Sequence, residues 1–169
     1  MRTMASLVLT GLCISNACFA QQGYGFLKLG ISQVPEENYN SPETVMAGAG
    51  NRFHQHSVEF ALLGFDDFQV NQNTKSYIEL KAARIDYNYH IDFGKPELSV
   101  GLSTTYYDAK AYHAATELGG KTDFTFGIGA GFNLPITHEY KITMDLDLTN
   151  DVLGENLTQF TLGIQKDFL

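Results

Sequence analysis

Charged side chains recur at every second position in several segments, and this spacing puts them on one face of an extended strand. The segment 140–150 alternates apolar residues with Lys141, Thr143, Asp145, Asp147 and Thr149. Two carboxylates two positions apart can perform acid–base chemistry when their environments separate their pKa values, and they can also bind Ca²⁺. The cation Lys141, close to both, favours a structural ion-pair network instead.

Ten charged residues lie on the polar faces of such segments, and if the apolar faces point outward they share the interior of a barrel. They are Lys28, Glu59, Glu79, Lys81, Arg84, Asp86, Lys141, Asp145, Asp147 and Asp167. An unpaired buried charge costs several kcal/mol, so we expect a packed, ion-paired interior without a continuous pore. The alternative is a switchable ion pair among Glu59, Lys81 and Arg84 that gates a narrow ion conductance.

Other combinations of reactive residue types are weaker. His54 and His56 flank Gln55 and could hold a metal ion with a third ligand, but the sequence offers none, so we predict a solvated turn and no metal. His113 follows Ser103 and Asp108 and could complete a Ser–His–Asp hydrolase. Nothing else supports that reading, so we predict a loop histidine, no catalytic residues, no cofactor and no enzyme.

The N-terminal residues 1–20 read as a secretory signal peptide, with cationic Arg2, an apolar stretch and small residues before the cleavage site after Ala20 or Ala17. Both cysteines, Cys13 and Cys18, lie in this segment. Cleavage after residue 20 leaves a cysteine-free domain, 21–169, which excludes thiol catalysis and cysteine-based metal sites.

The charge balance excludes nucleic acid as a partner. The chain has 11 basic and 19 acidic side chains, and loss of Arg2 takes the formal charge from −8 to −9. No basic cluster is longer than two residues, whereas a nucleic-acid-binding domain needs a basic patch.

The mature chain divides into eight segments with an alternating pattern, most of them ten residues or longer: 23–32, 43–52, 57–68, 76–90, 97–107, 123–133, 140–150 and 156–168. Strands of soluble domains are usually about 5–6 residues long, whereas a tilted membrane-crossing strand needs about 9–11. After residue 20 no apolar run approaches the ~18 residues of a membrane helix. If the chain spans a membrane, only a closed barrel satisfies its backbone.

The connections alternate in length. The even-numbered ones are short, namely 53–56, 91–96 and 134–139, and the odd-numbered ones 33–42 and 108–122 are longer and polar, with 69–75 and 151–155 completing the set. Short periplasmic turns and longer extracellular loops are typical of transmembrane barrels. The sequence therefore predicts an all-β fold, an eight-stranded antiparallel up-and-down transmembrane barrel, with a β-bulge at Ala82–Ala83 where the alternation changes parity.

The segment 123–134 shows what the choice of face means. In a membrane barrel Phe124, Phe126, Ile128 and Phe132 face lipid, while Gly127, Gly129 and Gly131 face the interior and leave space for long side chains from opposite strands. In a soluble ligand-binding barrel the same phenylalanines form the core. Polar faces rich in Gly, Ser and Thr, and aromatic residues near segment ends, favour the membrane barrel.

Two stretches resemble small bacterial outer-membrane β-barrels of the OmpA and opacity types. Residues 157–169 are similar to the C-terminal assembly signal of that family at Thr161, Gly163 and Phe168, although Lys166 stands where an aromatic residue is common and Leu169 follows the terminal aromatic. Residues 47–68 are similar to the second hairpin of such barrels. The resemblance implies insertion by the barrel-assembly machinery, aided by periplasmic chaperones.

These observations predict a monomeric, porin-like protein in outer-membrane lipid with a structural or surface-interaction role, such as envelope integrity, adhesion or host contact. A host or extracellular ligand would bind the loops, where the candidate residues are Glu36, Glu37, Lys110, His113, Glu117 and Lys121. The alternatives are the narrow ion channel and the soluble periplasmic ligand-binding barrel.

Overall fold

The computed structural model describes residues 22–35, 40–66, 68–69, 76–114, 116–152 and 154–168. The predicted signal peptide with Cys13 and Cys18 lies outside the described residues, and so do the loop candidates Glu36 and Glu37.

Nine strands form one antiparallel sheet that closes on itself: β1 (Gln22–Gln33), β2 (Glu43–Phe53), β3 (His56–Phe65), β4 (Phe68–Gln69), β5 (Ser76–Asp92), β6 (Glu97–His113), β7 (Thr116–Pro135), β8 (Tyr140–Val152) and β9 (Glu155–Phe168). Each long strand pairs with its sequence neighbours, and β1 pairs with β9 to close the ring. The two-residue β4 continues β3 along β5, so the barrel has eight strands. The predicted fold class is confirmed.

The alternation of the sequence becomes an inside and an outside. In β7, Phe126 is 69% exposed on the outer surface, whereas Thr125 beside it is buried in the interior. The same outward exposure holds for large apolar residues around the ring, among them Leu29, Ile85, Leu102, Leu146 and Ile164. An exterior of this kind is stable in lipid and not in water, which contradicts the soluble-barrel alternative. Among the described residues no helix has the length and apolarity to cross a membrane.

The predicted β-bulge at Ala82–Ala83 is wrong. β5 pairs with β6 from Ser76 to Asp92 without a register shift, so its even-numbered residues face inward throughout. The irregularity lies on the neighbouring strand, where Gly64 pairs with Lys81 and Phe68 pairs with Ile78. The neighbouring strand therefore advances four residues while β5 advances three. Leu80 consequently faces the interior, and the residues on either side of it face outward.

The predicted third loop, 108–122, is also wrong, because strands β6 and β7 continue through it. Their ladder runs from Glu97↔Asn133 to His113↔Thr116, with a register shift at Ala111/Tyr112. β5 follows β6 to the same height, since Ser76 pairs with His113. The three strands therefore form a sheet that rises beyond the rest of the barrel, which we call the extracellular sheet (76–81, 107–113 and 116–124).

The inward glycines of β7 make space for charged side chains, as predicted, but the side chains come from the adjacent strand β8. A Cβ atom on Gly131 would lie 2.5 Å from Asp145 Oδ1, and one on Gly129 would overlap Asp147 Oδ1. No real Cβ tolerates such contacts, so glycine at these positions allows both carboxylates to lie flat against the wall of the barrel.

Candidate functional site

The centre of the barrel interior is an ion cluster around Arg84. Its Nε donates to Asp86 Oδ2 at 2.9 Å on the same strand, and its Nη1 lies 3.2 Å from Asp147 Oδ2 on β8, across the interior. The second contact is a charge contact without hydrogen-bond alignment, because neither atom makes a hydrogen bond in the described part of the chain. Nη2 also approaches Met46 Sδ at 3.9 Å. Arg84 is 3% exposed, so these contacts replace its hydration.

A second pair lies beside this cluster. Lys28 Nζ is 2.7 Å from Asp145 Oδ2 and 4.6 Å from the centre of the Phe26 ring. Gly163 lies on β9, the strand between β1 and β8, which carry Lys28 and Asp145. A Cβ atom at Gly163 would lie 2.6 Å from Lys28 Cγ. Gly163, which the sequence assigned to the assembly signal, therefore also makes space for the lysine stem.

Glu59 is held by a tyrosine. The Tyr24 hydroxyl donates to Glu59 Oε1 at 2.7 Å, and both side chains are buried. Gly50 faces the Tyr24 ring, since a Cβ at that position would lie 2.6 Å from Tyr24 Cζ. The sequence placed Tyr24 among the aromatic residues near segment ends that would face the membrane interface, and this placement is wrong because Tyr24 is buried in the interior. Its inward parity on β1 is the signal that could have shown this.

The periplasmic end of the interior holds a polar cluster that the sequence reading missed. Arg52 Nη1 is 2.6 Å from Glu97 Oε2, His90 Nδ1 is 3.0 Å from Glu97 Oε1, and Ser57 Oγ is 2.8 Å from His90 Nε2. Asn133 Nδ2 donates to Glu97 Oε1 at 3.4 Å. Strand parity identifies His90 as inward-facing. Arg52 and Glu97 lie at strand ends, where parity alone does not separate interior from turn.

Lys141 and Asp167 form a further pair at the same end. Lys141 Nζ lies 2.9 Å from Asp167 Oδ2, and Gln165 Nε2 donates to Asp167 Oδ1 at 2.6 Å. Gln22 Nε2 donates to Asp167 Oδ2 at 3.0 Å. This group ties the first and last strands of the barrel to β8.

The extracellular end of the interior combines apolar side chains with a buried hydrogen-bonded group, in which Ser32 Oγ contacts Thr44 Oγ1 and accepts from Gln159 Nε2. Six inward-facing side chains there are almost completely buried, namely Leu63, Phe68, Leu80, Tyr107, Val152 and Leu157. The interior therefore has a mainly apolar layer at the extracellular end, charged pairs in the middle and a hydrogen-bonded polar layer at the periplasmic end. This filling is what an eight-stranded barrel has room for.

Two residues predicted for the interior lie outside it. Glu79 and Lys81 face outward from β5, where they form an ion pair with each other, and the Lys81 side chain is 68% exposed. The reason is the unbroken parity of β5 described above. Because Lys81 donates to Glu79, the pKa of the Glu79 carboxyl is lowered and that of Lys81 is raised. Lys81 cannot gate the interior from this position.

The extracellular sheet carries the remaining loop candidates. Lys110 and Glu117 approach each other at 4.0 Å across β6 and β7, and Lys121 lies 3.3 Å from Asp123. His113 Nδ1 is 2.9 Å from Ser76 Oγ at the top of the sheet. On its outer face the rings of Tyr77 and Tyr112 stack with centres 5.0 Å apart. This surface presents aromatic rings and both signs of charge to the extracellular side.

The Ser–His–Asp arrangement considered from the sequence is not assembled. Ser103 is buried in the interior and His113 lies ten residues further along β6, about 33 Å for an extended strand. The hydrogen-bond series Ser57–His90–Glu97 has the connectivity of a catalytic triad, but the side chain of Ser57 is completely buried. A nucleophile must reach its substrate, so we assign this series to packing of the periplasmic end.

The histidine pair of the β2–β3 turn is divided between two environments. His54 lies in the turn at φ 61°, whereas His56 packs against Phe53 and Tyr87, with its Nδ1 2.6 Å from the Tyr87 hydroxyl. In the described ranges no group of three or more His, Cys, Asp or Glu residues could hold a metal ion.

Comparison with solved structures gives the same fold. Neisserial surface protein A matches with a TM-score of 0.71 and 12% identity, over 86% of this chain and 97% of that one. Ail, the attachment invasion locus protein of Yersinia pestis, matches with 0.65 and 12%, over 89% and 100%. The N-terminal barrel domain of OprF from Pseudomonas aeruginosa matches with 0.61 and 14%, over 88% and 100%. No protein-family model matches the chain, and no curated protein matches its sequence.

The fold and the apolar exterior together define the class of this protein. It is a small β-barrel of the outer-membrane type, integral to the bacterial outer membrane, with a filled and ion-paired interior. At 12–14% identity the similarity establishes the fold, and function has to be argued from the surfaces of this chain.

Proposed function

We propose that this protein is a surface-interaction barrel, in which the filled interior is a rigid scaffold and the extracellular sheet makes the contacts. The observation that supports the proposal is the continuation of β5, β6 and β7 beyond the other strands. β7 begins at Thr116 but pairs with β8 only from Gly127 onward. Rigid strands that project from a barrel present side chains at a fixed geometry, as binding sites require.

The outer face of the sheet supports an adhesive role. The stacked Tyr77 and Tyr112 rings are large, rigid groups with a polar tip, the kind enriched where proteins bind each other. Lys81, Lys110 and Glu117 surround them with exposed charge. Ail, one of the proteins of similar fold, is an attachment and invasion protein by name and has been crystallised with a heparin analogue. This chain has 19 acidic and 11 basic side chains, a balance that repels a sulfated polyanion, so we do not extend that ligand to it.

The test is adherence of bacteria that express the full chain, compared with the same bacteria without it. Expression should increase adherence to host cells or to neighbouring bacteria, and Tyr77→Ala with Tyr112→Ala should abolish most of the increase. Phe93→Ala is the matched control, because Phe93 is an exposed aromatic residue in a periplasmic turn and is 71% exposed. Unchanged adherence in the double variant would contradict the proposal.

A narrow ion channel is the second candidate. The central ion cluster lies where an ion would pass, with Arg84, Asp86 and Asp147 in contact. We rank the channel second to the scaffold role, because buried side chains fill the interior on both sides of the cluster. Conductance in planar bilayers that changes with Arg84→Lys would favour the channel, and a silent bilayer would favour the scaffold.

A further inference from the structure

The extracellular sheet ends in an edge that no strand covers. β7 pairs with β6 from Thr116 to Asn133, but its described pairing with β8 begins only at Gly127. β8 contacts the edge strand at Thr125, whose hydroxyl donates to the Asn150 carbonyl, and β8 ends two residues later at Val152. Along 116–124 one side of β7 is therefore open within the described structure.

The open edge has identifiable backbone donors. The Phe124 N–H donates to the Asp123 side chain, Oδ1 at 2.8 Å, rather than to the β6 ladder. Backbone groups of successive strand residues point to opposite sides, so Gly120 and Thr122 present their N–H groups to the same edge as Phe124. Above them the register shift leaves Leu118 as an extra residue, which bends the edge away. The regular open edge is thus 119–124.

Charge defines what could cover this edge. The described residues of the sheet and of the neighbouring β8–β9 hairpin tip include six carboxylates and three lysines: Glu79, Asp108, Glu117, Asp123, Asp151, Glu155, Lys81, Lys110 and Lys121. An unpaired strand edge is a template for an added strand, and a negative surface attracts a positive partner.

We propose that the β7 edge binds an extended basic peptide segment of a protein partner, which adds to the sheet as an antiparallel strand. The proposal rests on the surface-interaction role above and names its partner class. Main-chain hydrogen bonds to Gly120 and Thr122 give the contact its geometry, and the carboxylates around Asp123 select basic side chains.

A second copy of the chain does not fit the same edge. Two barrels in one membrane share the same orientation, and barrel strands are tilted by roughly 35–45°. Rotation about the membrane normal would make two β7 edges cross at a steep angle instead of running side by side. A flexible peptide has no such constraint.

Hydrogen exchange of the full chain in lipid nanodiscs tests the proposal, with an eight-residue peptide of alternating threonine and lysine as the probe. We expect slower exchange at Gly120 and Thr122, while Lys121 and Asp123 amides, which face β6, change little. The peptide with glutamate in place of lysine should give no slowing. No slowing at about 1 mM lysine peptide, the range of weak complexes, would overturn the proposal.

Two variants at one position separate strand addition from charge attraction. Thr122→Pro removes a donor on the open edge and leaves the β6 ladder in place, as proline on an edge strand does. It should weaken peptide binding by about tenfold or more, since a hydrogen bond is lost and the ring blocks approach. Thr122→Val keeps the donor and should bind normally. Equal binding to both variants would overturn the proposal.

Neutralising the carboxylates tests the selection of basic side chains. Asp151 has φ 53°, a conformation that asparagine accepts, so Asp151→Asn with Asp123→Asn preserves the backbone. The double variant should bind the lysine peptide several-fold more weakly, because exposed ion pairs contribute about two- to fivefold each. Glu139→Gln, in a periplasmic turn, is the control. Full binding by the double variant would show that these carboxylates select nothing.

The two proposals fail in different ways. Slowed exchange at the β7 edge without any adherence of expressing cells would contradict the surface role and leave peptide binding intact. Adherence that depends on Tyr77 and Tyr112 but not on Thr122 would support the surface role and contradict strand addition.

Discussion

At the scale of single residues, the stability of the interior depends on ion pairs, because either member of a pair would destabilise the fold if it were buried alone. Arg84 is enclosed with Asp86 and Asp147, and Lys28 with Asp145. In such pairs the attraction offsets the loss of hydration only while both partners are present. The sequence predicted most of these residues from strand parity. It placed Glu79 and Lys81 with them because a parity change at Ala82–Ala83 was read as a bulge in β5.

Arg84→Met should destabilise the barrel by about 3–5 kcal/mol, because two buried carboxylates lose their cation. Lys81→Met, three residues away on the same strand, should change stability by no more than about 0.5 kcal/mol, since its ion pair is exposed. Urea unfolding in detergent micelles measures both. Similar losses in the two variants would mean that Arg84 is not held as described.

Gly129 and Ala130 are adjacent on β7 and face opposite sides of the wall, so substitutions at the two positions can be compared directly. Gly129→Val should cost about 1–3 kcal/mol, because its side chain would displace Asp147 from the barrel wall. Ala130 faces outward and is exposed, so Ala130→Val should stay within about 0.5 kcal/mol. The same unfolding measurement compares them, and a larger loss for Ala130→Val would reverse the assigned faces.

At the scale of elements, the extracellular sheet and the barrel wall are separable. Both neighbours pair with β7 from Gly127 to Asn133, and this stretch is its part of the closed ring. Among the described residues, 116–124 of β7 pair with β6 only. The alternation in 97–107 and 123–133 predicted the wall portions of β6 and β7. The polar and glycine-rich residues between them were read as a loop, because strands outside lipid no longer need an apolar face.

Replacing 110–120 with Asn-Gly should leave a folded barrel, because the new turn closes the hairpin at the Ala109↔Lys121 pair. The truncated chain should still show a heat-dependent gel shift, and it should lose adherence. If truncation prevents folding, the upper sheet is needed for closure and the two elements are not separable.

At the scale of the whole molecule, closure of the barrel determines which face of each strand points to the interior and which points to lipid. β1 pairs with β9 along eleven residues, so no long edge remains in the wall that lies in lipid. Phe168 then faces outward and Thr161 inward, with Gly163 beside Lys28, so the three residues of the predicted assembly signal lie on the closing strand. Their role in recognition by the assembly machinery stays a prediction.

A closed barrel of this kind should resist detergent at room temperature. The unboiled membrane fraction should migrate differently from the boiled one on a denaturing gel, and the protein should fractionate with the outer membrane. Protein in the soluble periplasm, with no mobility difference, would contradict the outward placement of the apolar face.

The sequence by itself determined the class of fold and the direction of nearly every wall residue, because period-two alternation is a local property of a strand between lipid and a polar interior. The tertiary structure alone decided which charges meet. Arg84 and Asp147 are far apart in sequence and approach across the barrel, and Arg52, His90 and Glu97 converge from three strand ends. It also decided the open edge of β7, since an edge is defined by the absence of a neighbour, which depends on where β8 ends.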